Sequence, residues 1–251
     1  MTRSMVTIAI PSLNQGQFLN TALESIFSQD LPVEVVVLDG GSIDGSVEVI
    51  RKWEKKLLFW RSAPDGGQSA AINEGIQRGA SPFVCWLNAD NSLLPGGLKA
   101  LLEALRQSPE CPAAYGKCWT INEKGERILP FLTVPFSPWL LSNYCFIAQP
   151  ATLVRRSAWE AVGGLDESLH MALDYDLWWR LYRYGGAFRY THRFVALTRM
   201  HHETKTTRRR AEHYLEAMQV VRRHTGKVPL KWYAWWPLMV TLRSFLSRRK
   251  R

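Results

Sequence analysis

Hydrophobic and polar positions change period in a regular order along the first half of the chain. Val6–Ile10 is a short apolar run. In Phe18–Gln29, Leu19, Leu23, Ile26 and Phe27 recur on one side at helical spacing. Val33–Leu38 is again a β-branched, apolar run, and Ser46–Lys55 reads as a helix capped near Ser42 or Asp44. Leu57–Ser62 reads as a third strand, Gln68–Arg78 as a helix stopped at Gly79, Phe83–Leu87 as a strand, and Gly96–Gln107 as a helix starting just after Pro95. Strands alternating with helices predict an α/β fold with a mainly parallel sheet covered on both faces.

The second half is less regular. Ala113–Tyr115, Cys118–Asn122, Ala151–Val154, Phe188–Tyr190 and Val195–Arg199 read as strands. Ser157–Val162 reads as a helix ended by Gly163-Gly164, and Asp174–Tyr184 as one ended by Gly185-Gly186. Leu129–Trp139, rich in proline and aromatics, predicts a loop over the site, and Arg208–Arg223 a basic helix.

Composition bounds this picture. The 251 residues are 46% hydrophobic, enough for a real core and against global disorder. The four cysteines form no C-x-x-C pair and no zinc spacing, so they read as reduced cytosolic thiols. The opening MTRSMVTIAIPS has too short an apolar run for a signal peptide and reads as a first core strand. The net charge of +10 is uneven: 205–251 hold 13 Lys and Arg against 2 Asp and Glu, while the rest is nearly neutral. The tail therefore points to an anionic surface, whereas the neutral body offers no basic groove for nucleic acid.

Candidate chemistry collects where strands end. VEVVVLDGGSID and PFVCWLNADN both close an apolar run with carboxylates, at Asp39 and Asp90. In open α/β sheets ligands bind beyond the carboxyl ends of strands, so two such ends suggest a phosphorylated ligand with its divalent cation. Taken singly, the DGGSID turn is equally a tight βα turn with a capping aspartate, and Asp90 alone reads as an Asx turn. PDGGQSAAINEGI repeats the device: Asp65 and two glycines precede a helix whose N-terminal amides suit phosphate.

Together these segments resemble the family 2 glycosyltransferases, which have the GT-A fold. The likeness runs from about Val6 to Thr206 and rests on IAIPSLNQGQFLNTALESIFSQ, VVVLDGGSIDGSVEVI, PDGGQSAAINEGI, WLNADN with PGGL, GGLDE, LDYDLWWRL and RMHHETKT in the family's order. It implies a 1–205 GT-A domain: a nucleotide-sugar half over about 1–110 and an acceptor half over about 111–205. A basic, Trp-rich tail over 206–251 follows. By the resemblance, Pro11 and Asn14 contact the nucleotide, Asp39 binds the base (usually uracil), and Asp65 is a second nucleoside contact beside Gln68 and Asn73. Asn88, Ala89 and Asp90 match the Asp-x-Asp motif, whose last carboxylate binds Mg²⁺ or Mn²⁺. Asp174 matches the general base, and His201 a late R-x-H histidine that reaches the metal or diphosphate. Asp166, Glu167 and Trp178 match acceptor-side positions.

Two departures stand out. Asn88 replaces the first carboxylate of the metal motif, which weakens the expected cation site, and Leu173 replaces the glutamate beside Asp174. The processive enzymes' Gln-x-x-Arg-Trp motif is absent, so transfer of one sugar, with inversion, is the implied reaction. A sugar nucleotidyltransferase would want a basic, glycine-rich loop after the first strand, and PSLNQGQF has no basic residue. A non-catalytic sugar-nucleotide binder is the other reading, opposed by the retained Asp174. In the tail, Trp232, Tyr233, Trp235 and Trp236 between Lys231 and Arg243 suit a membrane headgroup region but are too short a run to span it. That predicts peripheral attachment at the inner face of the membrane, near a lipid-linked or cell-surface glycan acceptor. The alternative is that these aromatics pack on the catalytic domain.

Overall fold

The structure, a computed structural model, describes residues 4–201, 204–236 and 240. Beyond Trp236, apart from Val240, the predicted tail lies outside the described residues.

The first half folds in the predicted order. Strand β1 (Val6–Ser12) leads to helix α1 (Gly16–Phe27), β2 (Val33–Asp39), α2 (Ser46–Trp53), β3 (Phe59–Ser62), α3 (Gln68–Arg78) and β4 (Phe83–Trp86). A two-residue strand, β5 (Ser92–Leu93), and α4 (Gly97–Arg106) complete it. The second half holds β6 (Ala113–Ile121), β7 (Arg127–Pro130), α5 (Pro138–Asn143), β8 (Thr152–Arg155), α6 (Arg156–Ala161), α7 (Leu173–Gly185) and β9 (Arg189–Arg199). Three helices follow: α8 (Lys205–Arg208), α9 (Arg210–Thr225) and α10 (Leu230–Trp236).

Among the described residues one sheet runs β3-β2-β1-β4-β8-β6-β9-β5, with β7 paired to β6. β3, β2, β1 and β4 are mutually parallel, as are β6 and β9; the antiparallel joins come at β8, β7 and β5. This is the expected mixed sheet. Its register levels the ends of three strands, because Ser12 pairs with Asp39 and Asp39 with Ser62.

The sheet is buried on both faces. Val6, Ile8 and Ile10 point into one cluster with Leu19, Leu23 and Ile26 of α1 and Leu98, Leu101 and Leu105 of α4. Ala9, Trp86 and Tyr115 point the other way, onto Ile72, Leu177, Trp178 and Leu181. Tyr214, Ala217, Val220 and Val221 of α9 and Trp232 of α10 belong to this second cluster. A fully buried side chain of this size contributes on the order of 1.5–3 kcal/mol, so α9 is part of the body and not a free arm. Gly75 lets α3 ride close on the sheet: a Cβ there would lie 2.7 Å from Ala9 Cβ and 2.9 Å from Leu38 Cδ2. That approach brings Gln68, at the start of α3, to the end of β4.

Some predicted elements differ. The two strands read at Ala113–Tyr115 and Cys118–Asn122 are one strand, as are those at Phe188–Tyr190 and Val195–Arg199. The register shifts around Lys117, so the period of two is broken inside continuous strands. Leu129–Trp139 is not all loop, since it overlaps the exposed strand β7 and the start of α5. Between them Val134 accepts a hydrogen bond from Tyr115 Oη and Phe136 packs on Phe146, Tyr182 and Phe188, which ties the segment to the core. Of the tail aromatics, Trp232 is buried and donates through Nε1 to the Ser142 carbonyl, while Tyr233 and Trp235 are exposed.

Candidate active site

The row Ser12–Asp39–Ser62 opens the site. Asp39 has no exposed surface, and its carboxylate accepts from Ser42 Oγ (2.5 Å), Ser62 Oγ (2.6 Å), Ser42 N (2.8 Å) and Gly41 N (3.2 Å). Asn14 has φ 52°, and its Oδ1 accepts from Ile43 N at 3.0 Å while its own N–H donates to Ser42 Oγ at 2.7 Å. Asp44 accepts from Gly16 N and from Ser46. Burial of Asp44 opposes its charge, but those hydrogen bonds outweigh it and hold the carboxyl below its ordinary value. The 40–46 turn is thus braced from three sides. The Asp39 carboxylate, the position expected at the base, is occupied by these four protein donors and holds the turn in shape. Pro11 lies within β1, opposite Leu38.

Asp65 comes to the same turn. Its Oδ2 would lie 3.7 Å from a Cβ on Gly40, and its Oδ1 accepts from Gly67 N at 2.8 Å. Gln68 Nε2 donates to Asn88 Oδ1 at 3.0 Å, which joins the start of α3 to the end of β4. Ala89 is buried and leaves only its backbone. Asn73, expected on the nucleoside, faces elsewhere: Nδ2 donates to the Leu165 carbonyl and Glu167 Oε1, and Oδ1 accepts from Leu165 N. Its amide is used up pinning the Gly163–Glu167 turn.

Asp90 and His201, 111 residues apart, meet with Oδ2 and Nε2 at 3.1 Å. The imidazole is nearly buried and lies against the Phe18 ring, with centroids 5.1 Å apart. Arg199 fixes the backbone on both sides: Nε donates to the Asp90 carbonyl and Nη1 to the carbonyls of Asn122 and Glu123, while its N–H donates to Asn91 Oδ1. A carboxylate oxygen and an imidazole nitrogen converging on one point fit a small divalent cation that takes mixed oxygen and nitrogen donors. Among the described residues no three His, Cys, Asp or Glu side chains gather at one point, so a cation held here would take its further ligands from diphosphate or water.

Asp174 lies in the first turn of α7, where the helix dipole favours a carboxylate. Burial nevertheless pushes its carboxyl up to about 6, against hydrogen bonds from the backbone N–H groups of Tyr175 and of Asp174 itself. The Glu216 charge adds to the rise. Among the described residues no cation pairs with it. Asp176, two residues on, has the opposite surroundings. It is fully buried and accepts from Arg180 Nε (2.7 Å), His224 Nε2 (2.8 Å) and Arg223 Nη1 (3.4 Å). Burial opposes its charge, but His224 and Arg180 outweigh that and hold the carboxyl low.

Trp178 is fully buried, stacked on Trp86 and edge-on to Phe188, so it packs the core and cannot face an acceptor. Asp166 accepts from Ser168 and Arg223, and Glu167 from Asn73, so both brace the turn around them. Arg199, Phe18, Ser62 and Glu216 were not singled out in the sequence. Only Arg199, in the R-x-H segment, had a local signal there.

Parallel strands β3-β2-β1-β4, with a carboxylate–imidazole pair just beyond β4, make this an α/β protein of the kind that binds ligands at its strand ends. Solved structures share the fold: S. aureus TarS 1–349 in complex with UDP has a TM-score of 0.70 at 15% identity, over 96% of this chain and 74% of that one. The mannosyltransferase PcManGT from Pyrobaculum calidifontis, in complex with GDP-Man and Mn²⁺, has a TM-score of 0.68 at 19% identity, over 97% and 73%. A family model described as glycosyl transferase family 2 matches residues 7–163, and the chain belongs to that family. Among curated relatives, an uncharacterized glycosyltransferase of Rickettsia conorii is 27% identical over 72% of this chain, and the chondroitin synthase of Pasteurella multocida 25% identical over 72%. The matches span 32% and 19% of those proteins' own lengths.

Proposed function

We propose that this chain transfers one sugar from a nucleoside diphosphate sugar, UDP-linked, to a hydroxyl of a lipid-linked or cell-surface glycan, with inversion. The observation that carries the reading is the meeting of Asp90 and His201 at the end of β4. It supports a diphosphate held at that strand end with a divalent cation, Mn²⁺ suiting the mixed donors better than Mg²⁺. When bound, the cation supplies positive charge against the departing diphosphate. The nucleoside lies over the 40–46 turn, in contact with its backbone and with Asp65, while Asp39 and Asn14 keep that turn in shape.

Asp174 acts as general base. An acceptor hydroxyl loses its proton to the carboxylate as its oxygen attacks the anomeric carbon, and the sugar–phosphate bond breaks on the opposite face. A carboxyl near 6 suits the task, being ionised at neutral pH yet a stronger base than an ordinary aspartate. The bound UDP of TarS and the GDP-Man and Mn²⁺ of PcManGT support the donor class.

Attachment to the inner membrane surface is part of the same proposal. Leu230, Tyr233 and Trp235 of α10 and Leu215 of α9 are exposed, and Leu215, Met218, Tyr233 and Trp236 line a hollow of about 340 Å³. Among the described residues no helix is long and apolar enough to cross a membrane. Anionic liposomes are expected to sediment the intact chain, and equal soluble fractions with and without liposomes would refute attachment. Thermal stabilisation by UDP-, GDP- and dTDP-sugars, with and without Mn²⁺, tests the donor site. The largest shift is expected for a UDP-sugar with Mn²⁺; no shift with any nucleotide would overturn the proposal.

A further inference from the structure

We infer that Glu216, on α9, is a positioning residue for Asp174: its carboxylate grips the backbone that leads into α7 and so sets where the base stands. The inference rests on the reading of Asp174 as the base. Helix α7 has no side-chain cap of its own at Ala172. Glu216 reaches in from 44 residues away instead, and Oε1 accepts from the N–H groups of Ala172 (2.7 Å), Met171 (2.7 Å) and His170 (3.1 Å). Three charge-assisted hydrogen bonds donated to one carboxylate fix the last three residues before the helix and put a negative charge at its positive end.

The grip is firm because α9 is itself held. Val220 and Val221 are buried in the core that α7 also faces. One face of α9 also reaches Asp176, through His224 Nε2 at 2.8 Å, and Arg183 of α7 donates to the His224 carbonyl. Asp174 therefore stands between two α9 contacts, at Ala172 and at Asp176. A shift of α9 would carry the base with it, and a misplacement on the order of 1 Å can cost about 10²-fold in rate.

Charge reaches Asp174 by the same route. It is faced by Cys145 from the segment after α5, by Tyr175 on its own helix and by Glu216 from α9. Glu216 is faced in turn by Lys205 of α8, by Arg209 and by His213. Glu216 thus has two separable effects: hydrogen bonds that place α7, and a charge that raises the proton affinity of the base.

Two substitutions in the full chain separate them. Glu216→Gln keeps an acceptor oxygen and loses the charge, whereas Glu216→Ala loses both. With UDP-glucose, UDP-N-acetylglucosamine and GDP-mannose as probes in Mn²⁺ and water as the acceptor, release of nucleoside diphosphate and free sugar gives kcat and donor KM. Glu216→Ala is expected to lower kcat by about 10- to 10²-fold at unchanged donor KM. Glu216→Gln is expected to retain more of kcat and to move the acid limb of the pH profile to lower pH. Hydrogen exchange, which needs no turnover, is expected to quicken at the amides of His170, Met171 and Ala172 in Glu216→Ala. Unchanged exchange there, an unmoved limb in Glu216→Gln, or equal loss of donor binding and kcat in Glu216→Ala would overturn the inference. Asp174→Asn distinguishes its failure from that of the underlying reading: wild-type turnover in that variant overturns Asp174 as base, whereas a dead Asp174→Asn beside a fully active Glu216→Ala overturns Glu216 alone.

Discussion

Asp174→Asn is expected to stabilise the fold while it removes transfer. Burial lifts the Asp174 carboxyl from 3.8 to about 6, so the folded protein holds an ionised carboxylate at a cost at neutral pH. That displacement corresponds to about 3 kcal/mol. The group keeps some exposed surface, and solvent screening brings the expected gain to about 1–3 kcal/mol. Asparagine has nearly the same shape, and its Oδ1 still accepts from Tyr175 N, so it escapes the cost without losing that bond. The pH dependence has a definite sign. Above about 6 the carboxylate is ionised in both states and the folded one bears the penalty. As pH falls through 6 the folded state takes up its proton first, and below 3.8 both states are neutral and the penalty is gone. Urea denaturation of both proteins from about pH 3 to 8 measures this. The stability difference should be largest at pH 8 and vanish as pH falls below the ordinary carboxyl value. At about 2–4 °C per kcal/mol, the melting temperature at pH 8 rises by several degrees. A variant that is less stable at pH 8, or a gain that ignores pH, would refute a base held in a costly environment.

Asp176 should behave in the opposite sense. Asp176→Ala strands Arg180 and His224 and is expected to cost about 3–5 kcal/mol in urea denaturation. The stability Asp176 gives is present above the ordinary carboxyl value and lost as pH falls through its lowered folded value. Trp178→Ala is expected to cost about 3–5 kcal/mol, with nucleotide binding per folded molecule unchanged because the ring packs the core. Gly164→Ala is expected to cost about 1–3 kcal/mol and to speed exchange at the Leu165 amide. Gly164 has φ 68°, and its Cβ would fall 2.7 Å from Asn73 Oδ1. His201→Ala is expected to remove the Mn²⁺-dependent part of nucleotide stabilisation in a melting assay and to leave the metal-independent part.

The first half of the fold was legible because each element carries its own period. Val6, Ile8 and Ile10 alternate with Thr7 and Ala9, and both sets are buried, as a strand covered on two faces requires. The second half was less so. A bulge near Lys117 breaks the period inside β6, and β5 has two residues, too few for any pattern. In the site, the late histidine was legible from its R-x-H context, and the structure places it on Asp90. Which polar residues face outward was not legible. Asp39, Asn73 and Asp166 have the right type and spacing for ligand contact, yet their hydrogen bonds go to the protein's own turns. Trp178 follows Asp174 by four residues, and only the packing of α7 on Trp86 shows that it points into the core. Glu216 left no signal at all, because its partners are backbone N–H groups 44 to 46 residues away.

Removal of a proton by Asp174 during transfer is tested by the pH dependence of nucleoside diphosphate release from a stabilising UDP-sugar in Mn²⁺, with water as the acceptor, compared between the native chain and Asp174→Asn. The native rate is expected to rise with pH through about 6 and then level. Folded Asp174→Asn is expected to bind the donor, turn it over at least about 10²-fold more slowly and lack that limb. Near-native turnover by folded Asp174→Asn, or the same limb in both proteins, would contradict proton removal by Asp174.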